Sequence, residues 1–318
     1  MKNIRDLLEK APQNWGRWGE SDEVGAVNFL GSAEVLRGIS TIKEGNIYTL
    51  GQPINDPRGD LIGLTRRPPQ HHMVSDRGMY AANKKDAVTG SGGVELSDDL
   101  IYMYTHSTTH VDSLGHAWYD GKLYNGYDAE TTTGGLAKNS IHHVGNKGIV
   151  GRSVLLDVAR YKGVEWVPEG DEITFEDLIN TAAYQNVSLD KRDILLIRTG
   201  FYLNYLKNGS HEYFRNGLNE PGITFTNELA HWFYEQQIAV YGTDTLGSEQ
   251  THSSQTGTTQ PLHPYLITRL GVSILETLWL EDIAAACADD GRYDFCLAIS
   301  PLKLVGGTAS PVNPIAIR

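Results

Sequence analysis

Residues 104–116 read YTHSTTHVDSLGH, a stretch that places three histidines and one aspartate within eleven residues. Its tyrosine, threonine and valine content favours an extended chain. Because side chains alternate along a strand, His106, His110 and Asp112 would share one face, whereas a helix would turn Asp112 away from the two histidines. The spacing therefore predicts a strand that brings three ionisable side chains together.

The residue types in this cluster are typical of a metal site. Imidazole nitrogens and a carboxylate oxygen suit Zn²⁺ or Mn²⁺, and three protein ligands would leave a coordination position for water. The alternative is that these are ordinary strand histidines that form hydrogen bonds. Packing, however, gives no reason to concentrate so many ionisable groups on one face. We therefore predict that His106, His110 and Asp112 bind a divalent cation.

A second contribution to the site can come from a segment far downstream. In residues 263–276 a short helix is predicted to lead from His263 into a buried strand that ends at Glu276. An acid at the end of an apolar strand needs a partner, and a metal ion, a salt bridge or a helix N-terminus would each serve. The residue pattern alone leaves these alternatives open.

Elsewhere, segments rich in β-branched and aromatic residues alternate with amphipathic ones, and glycine, proline or asparagine closes each segment. Capping residues begin the predicted helices: Ser32 before 33–39, Thr174 with Asp177 at 175–184, and Thr226 before 227–237. The predicted strands are 46–50, 101–110, 153–158, 193–198, 238–241, 272–275 and 295–299.

Two segments, 56–100 and 248–260, are predicted to be loops. The first contains Arg66-Arg67-Pro68-Pro69 and Gly90-Ser91-Gly92-Gly93, and the second is almost wholly polar. Long irregular loops in compact domains tend to be lids or binding loops. The glycine run matches neither a P-loop nor a dinucleotide-binding fingerprint, which argues against nucleotide chemistry.

Composition excludes several other classes of protein. The formal net charge of -12 and the lack of a basic cluster argue against a nucleic-acid partner. The sequence has no apolar run of the ~20 residues that a membrane span needs and no leader-like N-terminus, so we expect a cytoplasmic protein. Cys287 and Cys296 cannot complete a thiolate metal site and are expected to be buried apolar residues.

At its histidine cluster the chain resembles the cyclase family of metal-dependent hydrolases, which includes kynurenine formamidase, isatin hydrolase and a trans-dienelactone hydrolase. The family signature is H-x-G-T-H-x-D-x-x-x-H, and it stands here at residues 106–116 with Thr108 in place of the glycine. The Trp-rich N-terminus and the Tyr-Asn-Gly block resemble the longer subgroup of the family. Further blocks that look like the family are 14–19, 25–30, 119–126, 195–200, 241–245 and 306–311.

The resemblance implies an α/β fold of mixed sheets with flanking helices, a swivelling β/β/α domain that spans residues 1–318. It implies that His106, His110 and Asp112 bind the cation, that His263 and Glu276 are downstream ligands, and that His116 transfers protons. Gln260 is a lesser alternative as a ligand. Relatives differ in using two zinc ions or one manganese ion, and such chains commonly form homodimers or homotetramers.

The resulting functional hypothesis is hydrolysis of an amide, cyclic amide or lactone in a small-molecule substrate. Trp15, Trp18 and Tyr124 are candidate pocket walls, with core packing as the alternative. A serine hydrolase is disfavoured because the sequence has no G-x-S-x-G elbow. The rival from another class is a cupin-like structural metal protein or sensor, in which a filled coordination sphere would leave no place for water.

Overall fold

The computed structural model describes residues 3–56, 60–63, 65–82 and 94–318. The α-helices of this part are α1 (Ile4–Leu8), α2 (Ser32–Ser40), α3 (Arg77–Ala81), α4 (His142–Lys147), α5 (Val158–Tyr161), α6 (Phe175–Tyr184), α7 (Phe201–Tyr213), α8 (Asn227–Gln236) and α9 (Glu281–Asp290). Short 3₁₀ helices occur at Gly25–Phe29, Tyr124–Gly126 and Ala129–Thr132, and a π-helix spans Pro264–Leu270.

The strands of the same part are β1 (Ile47–Thr49), β2 (Gln70–Ser75), β3 (Asp98–Tyr102), β4 (His110–Asp112), β5 (Ile149–Asp157), β6 (Ile194–Arg198), β7 (Val240–Thr243), β8 (Ser273–Glu276), β9 (Asp294–Ile299), β10 (Ala309–Pro311) and β11 (Ile315–Ile317). Nine of them form one sheet in the order β1-β11-β9-β5-β6-β7-β8-β4-β10. The pairs from β5 through β8 are parallel and the other pairs are antiparallel. This confirms the predicted α/β fold with a mixed sheet.

The parallel centre of the sheet follows from runs of apolar residues. Every residue of β6 and β7 is buried, as expected for parallel strands that are covered on both faces. Helix α2 packs directly on β5, and Gly38 makes this close approach possible. A side-chain carbon at Gly38 would lie 2.5 Å from the carbonyl carbon of Gly151, so the strand leaves no room for a larger residue.

Two of the predicted helix starts are confirmed. The Thr174 side chain accepts the Asp177 backbone N–H while Asp177 accepts that of Thr174, which forms a reciprocal capping box at α6. Thr226 likewise accepts the Leu229 N–H at the start of α8. The predicted cap at Ser32 is wrong, because Ser32 is already the first helical residue of α2. Glu34 instead accepts the N–H of the capping residue, Gly31.

The predicted loop at 56–100 is wrong in part. It contains β2 and α3 and the first residues of β3, and β2 and β3 pair as a separate antiparallel sheet. These strands are difficult to predict from the sequence because nearly all of their side chains are exposed, so the strands lack the alternation of buried and exposed residues. The glycine run at 90–93 lies outside the described residues. The second predicted loop, 248–260, is indeed irregular, although most of it is buried.

Two further predictions concern simple properties of the chain. Cys287 and Cys296 are buried free thiols, as expected. In the described ranges, no helix has both the length and the apolar character needed to cross a membrane.

Candidate metal centre

The histidine-rich stretch is a tight loop that leads into a short strand. The predicted strand at 101–110 is wrong over most of its length: β3 ends at Tyr102, and β4 begins only at His110. The Ser107 N–H donates to the Tyr104 carbonyl, and Thr108 has a positive φ of 76°, so the chain turns here. Only His110 and Asp112 therefore share a strand face by alternation, and the loop brings His106 to them.

The first group of candidate ligands is His106, His110 and Asp112. The Asp112 Oδ1 atom lies 3.0 Å from His106 Nδ1 and 3.5 Å from His110 Nε2. All three side chains are buried. Their donor atoms lie within 4.8 Å of one another, a separation that one cation could bridge.

A second group joins the first through Asp112. Strands β4 and β8 pair so that His110 lies directly opposite Glu276, and His110 Nε2 is 3.1 Å from Glu276 Oε2. His263, placed just before the π-helix, has its Nε2 atom 3.2 Å from Glu276 Oε1 and 4.0 Å from Asp112 Oδ2. Asp112, His263 and Glu276 thus form another cluster that could hold a cation.

Several buried polar atoms of the cluster lack a hydrogen-bond partner within the described part of the chain, and this feature indicates whether the residues present could hold a cation. The buried His106 Nδ1, His110 Nε2 and both carboxylate oxygens of Asp112 have no hydrogen-bond partner among the described residues. Leaving buried polar groups unpaired is costly, and these atoms point at one another. Nitrogen and carboxylate donors in this number suit a divalent cation such as Zn²⁺ or Mn²⁺, so the residues fit the expected group.

The second ring nitrogen of each histidine is held by another group. His106 Nε2 lies 3.0 Å from Thr308 Oγ1, and His110 Nδ1 lies 2.7 Å from the Thr108 carbonyl oxygen. His263 Nδ1 lies 2.6 Å from Glu249 Oε1. Such contacts fix the orientation of metal-binding imidazoles, and here they turn the opposite nitrogen of each ring towards the two carboxylates, Asp112 and Glu276.

The electrostatics of the cluster are dominated by its two buried carboxylates. Burial opposes a charge on His110, but Asp112 and Glu276 outweigh it and raise the pKa of this imidazole to about 9. Burial and the charge of Asp112 favour a neutral Glu276, yet His110 and His263 hold the pKa of this carboxyl below its usual value. The site therefore favours positive charge between these carboxylates.

His116 stands apart from this arrangement. Its backbone N–H donates to the Ser113 carbonyl, so the chain turns directly after the candidate ligand Asp112. Its ring lies 4.1 Å, centroid to centroid, from that of His106. Burial, together with the neighbouring His106 and His263, lowers the pKa of His116 to about 4, so the imidazole is neutral at neutral pH. A neutral imidazole can accept a proton.

A cavity of about 310 Å³ opens beside the cluster. His116, His263 and Glu276 reach it from the cluster side, and Gln260 and Arg66 contribute to its wall. The arrangement gives a small molecule access to the candidate ligands and to His116 at the same time.

The aromatic residues proposed as pocket walls do not line this cavity. Tyr124 is fully buried and donates its hydroxyl to Asp22. Trp15 and Trp18 pack against the main hydrophobic core. The alternative interpretation, core packing, is therefore the one that the structure shows.

Three residues near the site were not predicted to be site residues: Glu249, Thr308 and Arg66. Glu249 lies in the polar segment 248–260, where a buried acid could not be distinguished from an exposed one. Thr308 lies in a block that resembles the family, which was the only available signal. Arg66 belongs to a loop that was predicted to be a lid or binding element.

Comparison with known proteins gives one family-model match and several similar solved structures. Residues 48–250 match the family model named Cyclase. A crystal structure described as a novel cyclase is 35% identical, with a TM-score of 0.86 over 96% of this chain and 100% of that chain. Isatin hydrolase A from Labrenzia aggregata, bound to benzyl benzoate, is 21% identical, with a TM-score of 0.60 over 85% of this chain and 93% of that chain.

Isatin hydrolase A from Ralstonia solanacearum is 16% identical, with a TM-score of 0.60 over 86% of this chain and 92% of that chain. No curated protein matched the sequence. At these identities the two isatin hydrolases show a shared fold. The family model spans more than half of the chain, and the novel cyclase is similar over nearly all of it. This chain belongs to the cyclase family.

Proposed function

We propose that this chain is a metal-dependent hydrolase that cleaves an amide, a cyclic amide or a lactone. One observation carries the proposal: five buried candidate ligands converge beside a cavity that a neutral histidine, His116, also reaches. The isatin hydrolases share the fold, and we extend their reaction class to this chain as part of the proposal.

In the proposed site, His106, His110 and Asp112 hold one divalent cation, and His263 and Glu276 complete its sphere or hold a second cation with Asp112. When bound, such a cation supplies Lewis-acid activation of the scissile carbonyl and of the attacking water. We propose Zn²⁺ or Mn²⁺ because the donors are nitrogen and oxygen atoms. Gln260 at the cavity wall remains a lesser candidate ligand.

His116 would move the proton during this reaction. Its neutral imidazole can take a proton from the attacking water as the new carbon–oxygen bond forms. The same proton then passes to the leaving nitrogen or oxygen as the carbon–nitrogen or carbon–oxygen bond breaks. Within the described residues no hydrogen bond holds the His116 side chain, which leaves its nitrogens available to substrate.

The rival proposal, a structural metal protein or sensor, has less support. A closed site would surround its cation with protein on every side, whereas His263 and Glu276 here line a cavity large enough for a small molecule. We further propose a cytoplasmic homo-oligomer, a dimer or tetramer, that acts on a small molecule. The acidic composition argues against a nucleic-acid partner, and the short apolar runs argue against a membrane partner.

A chelation experiment tests the proposed function. The purified protein would be assayed against a panel of formamides, imides and lactones, before and after EDTA treatment and again after addition of Zn²⁺ or Mn²⁺. We expect activity on at least one class of substrate, its loss on chelation and its recovery with one of the metals. Full activity in metal-free protein would contradict the metal mechanism, and a metal-loaded protein inert towards the whole panel would favour the rival.

A further inference from the structure

One arginine enters the cavity beside the metal cluster. Arg66 is the only arginine or lysine among the cavity-lining residues in the part of the chain that the structure describes. It belongs to the loop before β2, where its backbone N–H donates to the Gly63 carbonyl across 2.9 Å. This turn places a permanent positive charge at the cavity wall.

The Arg66 guanidinium is oriented but not neutralised. Its Nη1 atom donates to the His106 carbonyl oxygen across 2.5 Å, which ties the side chain to the metal-binding loop. Among the described residues, no carboxylate lies within ion-pair distance of it. The remaining N–H groups of the guanidinium are thus available to a ligand, since one contact uses only part of its five donors.

Other arginines of this chain show what a guanidinium in such surroundings usually binds. Arg198 places Nε and Nη2 on the two oxygens of Glu281, each at 2.8 Å, and Arg152 binds Asp193 and Asp294. This forked geometry matches a carboxylate with two parallel hydrogen bonds. Arg66 lines a cavity with the same kind of group, and no carboxylate of the described residues lies within ion-pair distance of it.

We infer that Arg66 binds a carboxylate group of the substrate, so that the enzyme acts on small anionic amides or lactones. This inference rests on the proposed function and narrows its substrate class. Leu218 and Leu246 also line the cavity and offer apolar surface for the uncharged part of such a molecule. Because the protein carries a net charge of -12, local positive charge is needed to attract an anion into this site, and the Arg66 side chain supplies such a charge at the cavity wall.

A binding experiment with two matched probes tests the inference. Benzoate and benzamide have nearly the same shape but differ in charge, and their affinities would be measured by calorimetry on the metal-loaded protein and on protein treated with EDTA. The variants are Arg66→Met, Arg66→Lys and, as a matched control, Arg67→Met at the adjacent exposed arginine. Metal content would be measured in every sample.

We expect the metal-loaded wild-type protein to prefer benzoate and to keep that preference after chelation. Arg66→Met should weaken benzoate binding by roughly 10-fold or more, the usual worth of a charge-assisted bidentate contact, with benzamide unchanged. Arg66→Lys should recover part of the loss, because lysine keeps the charge without the fork. Arg67→Met should bind both probes like wild type.

Three outcomes would overturn the inference. The first is equal binding of both probes by the wild-type protein. The second is a benzoate affinity that vanishes on chelation but survives Arg66→Met, which would place the carboxylate on the metal. The third is equal weakening of both probes with loss of metal in Arg66→Met and Arg66→Lys, which would make Arg66 a structural support. The binding measurement does not require turnover. If the hydrolase assay failed, the affinities for benzoate and benzamide would therefore still show whether Arg66 binds a carboxylate.

Discussion

Glu249 Oε1 lies 2.6 Å from His263 Nδ1, while the opposite ring nitrogen of His263 lies 3.2 Å from Glu276. The Glu249 carboxylate also accepts the backbone N–H groups of Leu262 and His263. These contacts hold one end of the imidazole so that the other end can only face the candidate metal centre. Glu249 thus positions the candidate ligand His263 and is not itself part of either group of candidate ligands.

The first prediction follows from this contact. Glu249→Gln keeps the size of the side chain but removes the charge that orients His263. We expect the affinity for Zn²⁺ or Mn²⁺ to fall about 10–100-fold, the usual effect of losing such an outer partner. Metal titration against a competing chelator measures this change.

A matched control for Glu249→Gln is available in the same protein. Glu220 is also a buried carboxylate that accepts two backbone N–H groups, those of Leu246 and Gly247, but it contacts Tyr213 instead of a histidine. Glu220→Gln should leave metal affinity unchanged. Equal losses of affinity in both variants would mean that Glu249 acts only through general stability.

Much of the fold was predictable because its central elements carry strong local signals. The apolar strands β5 to β9 and the capped helices α6 and α8 lie within a few residues of the predicted positions. The exposed pair β2 and β3 was missed because solvent covers both of its faces. Helix α7 was also missed, and its apolar face packs on residues far away in sequence, which no local window contains.

The candidate site was predictable in its members but not in its geometry. The residue types at 106–116 predicted a metal cluster, and the structure brings these residues together with His263 and Glu276. The reason given for their convergence was wrong, since a turn at Thr108 and not a continuous strand positions His106. Glu249 could not be identified because its role depends on long-range contacts alone, and for Arg66 the sequence indicated a binding loop but not which of its residues reaches the cavity.

The second prediction concerns Asp112, which belongs to both groups of candidate ligands. Asp112→Asn preserves size but removes the negative charge that a bound cation would offset. We expect metal content and hydrolytic activity to fall together, even if two cations bind. Elemental analysis and circular dichroism would be measured side by side, and a folded variant with undiminished metal would contradict the ligand role.

The third prediction uses the positive φ of Thr108, where the family signature has glycine. A β-branched residue is strained in the left-handed region, and only glycine adopts it freely. Thr108→Gly and Thr108→Ala both remove the hydroxyl and the methyl group of the threonine, but only glycine, which also lacks the Cβ, relieves the strain. We expect Thr108→Gly to exceed Thr108→Ala in free energy of unfolding by about 1 kcal/mol.

The neighbouring Thr109 provides the matched comparison for this strain. Thr109 is equally buried but has no positive φ, so there the alanine variant should be the more stable one. Urea denaturation of the four variants measures both differences. The same order of glycine and alanine at both positions would show that backbone strain does not determine the stability of the loop.

The last prediction separates proton transfer from metal binding at His116. The structure places its ring 4.1 Å from that of His106, yet its donor atoms belong to neither group of candidate ligands. His116→Ala should therefore retain the metal while kcat falls by roughly 10²–10⁴-fold, the usual worth of general acid–base catalysis. Added imidazole should restore part of the activity, because the cavity that this substitution enlarges can admit a free base.

His143→Ala serves as the control for His116→Ala, because His143 is a partly buried histidine that pairs with Glu23 outside the cavity. It should keep both metal and kcat near the wild-type values. Loss of the cation in His116→Ala would make His116 a ligand, since the remaining donors would then be insufficient. Near-normal kcat with full metal content would instead mean that another group transfers the proton, because removal of the residue that transfers it must slow the chemical step.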